Sequence, residues 1–322
     1  MKLSRRDFIE LTGAGVLALG LGVPASSSAA ETSRLAMLST EAEAATGNKL
    51  VGDAHSVDTT YAGPFNASLE KWFADHPIEQ GKILRMEAAF QTPRVLVMAM
   101  ANKGQLIDLH YHTFADELVI PIKGQCEQYV DGKWALMKHG DIHYNPRGIV
   151  HATRVVGDQP FLALSIFTPP PPGGNDRVFL NSEITTAKEG AIVGNWSLLD
   201  TQYKKGDIFN MDAWHASHPI ESGKTMRSEP AMGTLRGQLM IAQMPALPVH
   251  YHGSADEIIY TYKGAGEIYI NGEWTKLTPG MIHFCPRGMI HGIRPAGSEY
   301  KIFAFFAPPQ ANNSDRIFVD LK

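Results

Sequence analysis

The sequence predicts an all-β protein made of two barrels in tandem, and three observations support that prediction. The chain has 322 residues, more than the roughly 100–200 residues of a single domain. Its 30 glycines and 20 prolines, with only 19% charged residues, favour short strands joined by tight turns over long helices. A block that starts at His110 returns at His250, 140 residues later. One folding unit is therefore present twice.

The repeat extends well beyond this first block. The segments that recur at the same displacement are 110–112 and 250–252, 115–117 and 255–257, 123–124 and 263–264, and 140–151 and 280–291. Within the units, apolar or β-branched runs such as 94–98, 117–120 and 161–167 are bounded by Gly, Pro and Asp, which is typical of strands. Asp131-Gly132 and Asn271-Gly272 predict tight hairpins. Strands in such a meander close into a barrel because closure removes unpaired edges.

The N-terminus has the features of an export signal. Arg5 and Arg6 precede an apolar run over 11–23 and a small-residue stretch that ends at Ala30, and the arginine pair resembles the twin-arginine class of signal. We expect a periplasmic or extracellular protein with no membrane anchor after cleavage. The predicted organisation is a signal at 1–30, a linker at 31–60, a first barrel at 61–182, a connector at 183–207 and a second barrel at 208–322.

The net charge indicates the class of partner, and the cysteine positions indicate whether a disulfide is expected. The net charge is -4, with no basic tract beyond the N-terminus, which argues against a nucleic-acid surface and favours a small-molecule partner. Cys126 and Cys285 stand at positions that do not correspond between the repeats. This placement favours two buried free thiols over a disulfide, which stays the alternative.

Each unit contains a set of metal-type ligands. Residues i and i+2 of a strand share a face, so His110 and His112 project together, and Glu117 and His151 follow on strands that must lie alongside. Three imidazoles and a carboxylate suit one divalent transition metal per barrel, namely Mn, Fe, Ni, Cu, Co or Zn. The second unit offers His250, His252, Glu257 and His291.

These residues resemble the two motifs of the cupin superfamily. The first unit matches at Gly104, His110, His112, Glu117, Gly124, Gly140, Pro146, Gly148 and His151. The second unit matches equally, except that Met244 replaces the leading glycine, and both units lack the Asn that commonly follows the last histidine. The resemblance implies a bicupin with two double-stranded β-helix, or jelly-roll, barrels. It also makes a homo-oligomer an alternative to a monomer, since such barrels pair through strand edges and sheet faces.

Two further histidines are candidates for a catalytic role. His143 and His283 lie on the strand that leads to the last ligand, where alternation places them on one face with Asn145 and Cys285. The resemblance makes that face the inward one. We expect general acid/base work or support of the ligands, and an ordinary core histidine is the alternative. The repeated Asp-Arg pairs at 176–177 and 315–316 are more typical of structural ion pairs.

The motifs leave several reactions open. Bicupin oxalate decarboxylases, which the chain resembles in having two complete sites, place an arginine where Ile107 and Leu247 stand, and cupin-type sulfoniopropionate lyases place a tyrosine where Val119 and Ile259 stand. Both functions are therefore disfavoured. An apolar inner wall around a metal, formed by Val119 and Ile259 with Leu109, Leu118 and Ile122 nearby, suits an organic substrate that chelates the ion.

The interpretation favoured by resemblance is therefore an exported metal-dependent dioxygenase or oxidoreductase of the quercetinase-like bicupin kind. A non-oxidative decarboxylase, an isomerase or a lyase of another subtype remains an alternative. A periplasmic metal-binding or small-ligand-binding protein without turnover is a third hypothesis, and the similarity of the two ligand sets favours it mildly.

Overall fold

The structure, a computed structural model, describes residues 66–180, 198, 207–270, 272–310 and 315–319. The predicted signal at 1–30 and linker at 31–60 lie outside these residues, as does nearly all of the connector at 183–207. The all-β class is confirmed, since the described part of the chain contains twenty strands and only short helices. None of these helices is long and apolar enough to cross a membrane.

The first unit consists of two antiparallel sheets. Its elements are β1 (Asn66–Ser68), α1 (Leu69–Asp75), β2 (Leu84–Gln91), β3 (Leu96–Asn102), β4 (Ile107–His112), β5 (Asp116–Lys123), β6 (Gln125–Val130), β7 (Lys133–Lys138), β8 (Asp141–Asn145), β9 (His151–Val156), β10 (Phe161–Thr168), a 3-10 turn (Pro172–Gly174) and β11 (Arg177–Phe179). One sheet has the order β8-β5-β10-β3-β2 and the other β11-β4-β9-β6-β7. The predicted hairpin between β6 and β7 is confirmed, with positive φ at Asp131 (49°) and Gly132 (85°).

The second unit repeats this plan, but two of its strands are long. Its elements are β12 (Asp207–Asn210), α2 (Met211–Ser217), β13 (Arg227–Gly233), β14 (Gln238–Gln243), β15 (Leu247–His252), β16 (Asp256–Ile270), β17 (Glu273–Leu277), β18 (Met281–Cys285), β19 (His291–Ala307) and β20 (Arg316–Phe318). The long strands, β16 and β19, join β13–β20 into a single sheet. The register of β16 against β19 shifts on either side of Gly264. A Cβ at Gly264, where φ is +76°, would lie 1.9 Å from the Glu299 carbonyl oxygen, so this bend requires glycine.

The leading strand of each unit is added to the other unit's sheet. β1 pairs with β18 of the second unit, and β12 pairs with β8 of the first. Ser68 and Asn210 then cap the two helices, each accepting a hydrogen bond from a backbone N–H of the first turn. The Met211 N–H also donates to the Gly140 carbonyl at 2.8 Å. Each unit therefore contributes an arm, made of one strand and one helix, that contacts its neighbour.

A continuous hydrophobic core joins the two units. It contains buried residues from both, among them Leu118, Tyr144, Ile258 and Phe303. Two buried ion pairs flank this core in a reciprocal arrangement. Arg236 Nε donates to Asp116 at 2.7 Å, and Arg94 Nη2 donates to Asp256 at 2.7 Å. Both aspartates are fully buried and directly precede Glu117 and Glu257, so each barrel helps to position the glutamate strand of the other.

Candidate metal centres

In the first unit the fold brings the four predicted ligands together. His110 and His112 lie on β4, Glu117 on β5 and His151 on β9, and His110 stands directly opposite His151 in the antiparallel pair. One donor atom from each of the four lies within 4.8 Å of all the others. All four side chains are buried. Strand alternation alone places His110 and His112 on one face of β4. The pairing of β4 with β9 brings the third histidine, His151, beside them.

The second unit reproduces this geometry closely. His250 and His252 lie on β15, Glu257 on β16 and His291 on β19, again with donor atoms within 4.8 Å of one another. His291 Nε2 lies 2.8 Å from Glu257 Oε2, and the corresponding distance from His151 to Glu117 in the first unit is 2.9 Å. Two buried clusters of the same composition are therefore present, one in each barrel.

Backbone contacts orient the imidazole rings toward the cluster centres. Nδ1 of His110 lies 2.8 Å from the Asp108 carbonyl oxygen and Nδ1 of His250 lies 2.7 Å from that of Pro248. A proton on Nδ1 satisfies each carbonyl and leaves the Nε2 lone pair directed at the centre. Within the described residues, Nε2 of His110 and Nε2 of His250 are buried without a hydrogen-bond partner. Buried nitrogen atoms are normally satisfied, so these two nitrogens are suited to bind a cation.

The electrostatics of the clusters also suit a cation. Burial lowers the pKa of His110 well below its ordinary value, and burial lowers that of His250 to about 2. Burial opposes ionisation of Glu117, but hydrogen bonds from His112 and His151 outweigh it and hold the glutamate pKa well below the usual range. Burial opposes protonation of His112, His252 and His291, but interactions with the neighbouring carboxylates, and with Cys285 for His291, outweigh burial and raise their pKa, that of His291 to about 9. Each cluster thus offers an ionised carboxylate together with imidazoles that would release these protons on binding a metal.

The donor set agrees with the predicted class of metal. Three imidazole nitrogens and one carboxylate oxygen suit a borderline divalent transition ion. At Zn–N or Zn–O bonds of roughly 2.0–2.2 Å, two ligand atoms on opposite sides of an ion are about 4.2 Å apart, so donor atoms that all lie within 4.8 Å of one another are close enough to share one ion. Two metal-binding sites are therefore present in the fold, and the identity of the ion is not set by these donors.

The two clusters differ in the group that supports their second histidine. Nδ1 of His112 lies 2.6 Å from Asp176 Oδ1. In the second unit the corresponding Asp315 is 3.6 Å from His252 Nδ1, and the side-chain amide of Gln310 approaches this nitrogen to 2.6 Å. The expectation that the aspartates form ion pairs with the adjacent arginines missed this role. The repetition of the Asp-Arg motif in both units was the sequence signal that could have revealed it.

His143 and His283 lie on the ligand side of their strands. Their ring centroids are 6.3 Å from His151 and 6.5 Å from His291, respectively. His283 Nδ1 contacts Asn66 of the exchanged strand β1, and its Nε2 lies 2.8 Å from Cys285 Sγ. Burial lowers the pKa of His143 to about 3. The catalytic role of these histidines stays a prediction.

Both cysteines are free and buried. Cys126 lies on β6 of the first barrel and Cys285 on β18 of the second. Burial raises the pKa of the Cys126 thiol to about 12, and burial also raises the pKa of Cys285. Both thiols are therefore neutral at physiological pH and weakly nucleophilic.

The barrel interiors differ more than the ligands do. In the second unit a cavity of about 220 Å³ is lined by His250, Glu257 and His291 together with apolar side chains such as Ile259 and Phe306. Val119 of the first unit is buried at the position that corresponds to Ile259. Three other residues expected near this wall lie elsewhere: Leu118 and Ile122 pack in the core between the barrels, because alternation with Glu117 turns them outward, and Leu109 packs beside Tyr129.

Comparisons with known proteins agree with this architecture. A family model for the cupin domain matches residues 96–167 and again residues 240–306. The chain therefore contains two cupin domains in tandem, the arrangement called a bicupin. An uncharacterized protein of Aquifex aeolicus is 35% identical over 72 residues, which are 22% of this chain and 59% of that protein.

Longer similarities are more distant. The quercetin 2,3-dioxygenase of Bacillus subtilis is 20% identical over 281 residues, covering 70% of this chain and 83% of that protein. A barrel-domain protein from Leptotrichia buccalis superposes with a TM-score of 0.53 at 11% identity, over 78% of this chain and 99% of that one. A variant of the salicylate 1,2-dioxygenase from Pseudoaminobacter salicylatoxidans, in complex with gentisate, gives 0.58 at 12% identity over 89% and 94%. At these identities the structures show a shared fold.

Proposed function

We propose that this protein is an exported metal-dependent bicupin dioxygenase that acts on a small organic molecule able to chelate the ion. The observation that carries the proposal is the cavity of the second barrel, where three ligand side chains and an apolar wall meet. The similarity to a quercetin 2,3-dioxygenase supports the choice of reaction. A periplasmic or extracellular location follows from the predicted twin-arginine signal.

The protein's own groups prepare such a site for chemistry. His110, His112, Glu117 and His151 would hold one ion, and His250, His252, Glu257 and His291 the other. A bound divalent ion supplies Lewis acidity and, when redox-active, a route to dioxygen chemistry. The apolar wall excludes water from the reacting groups, which strengthens the electrostatic interactions inside the cavity. His283, whose ring centroid lies 6.5 Å from that of His291, is the candidate for general acid/base work beside the second cluster.

Metal content is the first test. Protein exported by its own signal should contain close to two transition-metal ions per chain by elemental analysis. Glu117→Gln and Glu257→Gln should each remove about one ion, because the neutral amide is a far weaker ligand. One ion per chain in the native protein, insensitive to one of the two changes, would contradict the assignment of that cluster.

The reaction itself can be tested on the same preparations. Oxygen uptake and carbon dioxide release would be measured against a panel of phenols, diols and keto acids. Oxygen consumption that requires the metal would support a dioxygenase. Carbon dioxide release without oxygen uptake would indicate a decarboxylase instead. Absence of turnover with every metal loaded would favour a binding protein. Separately, gel filtration of these samples would distinguish a monomer from a homo-oligomer.

A further inference from the structure

The two barrels contain the same set of metal ligands, but they differ in how a substrate can reach those ligands. We infer that the second barrel is the one that admits substrate, and that Arg316 there binds the anionic group of an aromatic or alkyl carboxylate. The inference deepens the proposed function and rests on it for the reaction, but the binding step can be measured separately. It assigns Arg316 as a substrate-positioning residue.

The walls of the two barrels differ in the lengths of corresponding side chains. Ala242 on β14 pairs with Ile302 and Ser228, whereas Met100, its counterpart on β3, pairs with Ala163 and Met86. Met100 is 2% exposed and packs in the interior of the first barrel. The side chain of Met100 is longer than that of Ala242, whereas Ala163 is smaller than Ile302, so the two barrels distribute the volume of this wall differently.

The cavities reflect this difference. The cavity lined by Ala242 includes three of the four ligands of its barrel. A cavity of about 120 Å³ at the corresponding mouth of the first barrel is lined by Met86, Met98, Phe167 and Arg177, and no metal-type ligand is among its lining residues. The ligands of the first barrel therefore do not open onto this cavity.

The deeper walls differ in polarity as well. In the first barrel Thr153 Oγ1 donates to Gln128 Oε1 at 3.0 Å, so a hydrogen-bonded polar pair lies between β9 and β6. At the corresponding register of the second barrel, Ile293 faces Ile268. An apolar wall of this kind favours the hydrocarbon part of a ligand.

Arg316 supplies the matching polar group. It stands opposite His252 in the β15-β20 pair and lines the cavity together with His250 and Glu257. Within the described residues its Nε is buried without a hydrogen-bond acceptor. A guanidinium at a mostly apolar cavity, with a buried donor unused, is suited to bind a carboxylate through charge-assisted hydrogen bonds. The combined site therefore fits an organic acid whose body is apolar.

The test compares benzoate with benzamide, its neutral counterpart of nearly equal shape, by calorimetric titration of the metal-loaded protein. Wild type should prefer benzoate. Arg316→Gln should weaken benzoate binding by about tenfold or more, the loss expected for a charge-assisted hydrogen bond, while benzamide changes little. Arg316→Lys should restore part of the preference. Arg294→Gln removes a surface arginine of β19 and serves as the control that should keep it.

A second pair of variants tests which barrel is used. Ala242→Met should abolish binding of both probes because its longer side chain would project into the cavity that Ala242 lines. Arg177→Gln replaces the corresponding arginine of the first barrel. It should leave the affinity for benzoate unchanged. Three results would overturn the inference. They are loss of benzoate binding in Arg177→Gln alone, an unchanged preference for benzoate in Arg316→Gln, and no benzoate binding by the wild type.

The outcome for binding is separable from that for the proposed reaction. Arg316-dependent binding without oxygen consumption on any substrate would support this inference and contradict the dioxygenase. Oxygen consumption that is unaffected by Arg316→Gln and Ala242→Met would do the reverse.

Discussion

Replacement of His215 by phenylalanine should stabilise the protein and make it more tolerant of acid. His215 lies in α2 and is 4% exposed, and within the described residues neither ring nitrogen has a hydrogen-bond partner. The corresponding residue of α1 is Phe73, also buried. The repeat therefore contains its own example of a phenylalanine at this position. Removing unsatisfied buried nitrogens should raise the free energy of unfolding at neutral pH by about 1–3 kcal/mol.

The acid dependence can be worked out from the histidine pKa. Burial, with a smaller contribution from Lys301, lowers the pKa of His215 to about 4 against the opposing effect of Asp212 and Glu299. In the unfolded chain, His215 takes up a proton as the pH falls below its ordinary pKa of 6.5. In the folded chain, it stays neutral until the pH approaches 4. The stability of the native state therefore falls as the pH drops through this window. Between pH 7 and pH 5 the loss from this residue is about 2 kcal/mol.

Denaturant unfolding at pH 7 and pH 5, followed by circular dichroism, measures this difference. Other titrating groups contribute equally to wild type and His215→Phe, so the gap between the two proteins isolates the histidine. That gap should widen by about 2 kcal/mol on acidification. The matched variant Phe73→His should show the opposite change, with lower stability and a steeper loss in acid. Parallel acid dependences for all three proteins would refute the reasoning.

Three other variants test the contacts around the centres. Asp176→Asn should weaken metal retention in the first barrel by about 10–100-fold, since it removes the carboxylate that supports His112; chelator competition measures this. Arg94→Met should cost about 3–5 kcal/mol in denaturant unfolding, because it leaves the buried Asp256 carboxylate without its charged partner. His283→Gln should lower turnover by about 100-fold or more if the histidine is a general acid or base, with metal content unchanged by elemental analysis. Full activity in this last variant would eliminate the catalytic role.

The sequence predicted the parts of the structure that depend on local spacing. Strand alternation was sufficient to place His110 with His112 and His143 with Asn145. It could not identify Asp176 as a partner of His112, because 64 residues separate them and the contact depends on how β11 joins the sheet. The exchange of β1 was also beyond prediction, since a three-residue strand contains no pattern that selects one barrel over the other.

The reciprocal contacts explain how two complete ligand sets are compatible with one accessible site. Asp116 is held by Arg236 and Asp256 by Arg94, so each glutamate strand is fixed by a residue of the other barrel. Loss of order in the first barrel would disturb the strand that contributes Glu257, even with every residue of the second cavity intact. The first barrel can therefore be retained for the support it gives, and a metal ion there would stabilise that support by favouring the folded state. Similar ligand sets thus do not require that both centres turn over substrate, and the wall residues are the better guide to which of them does.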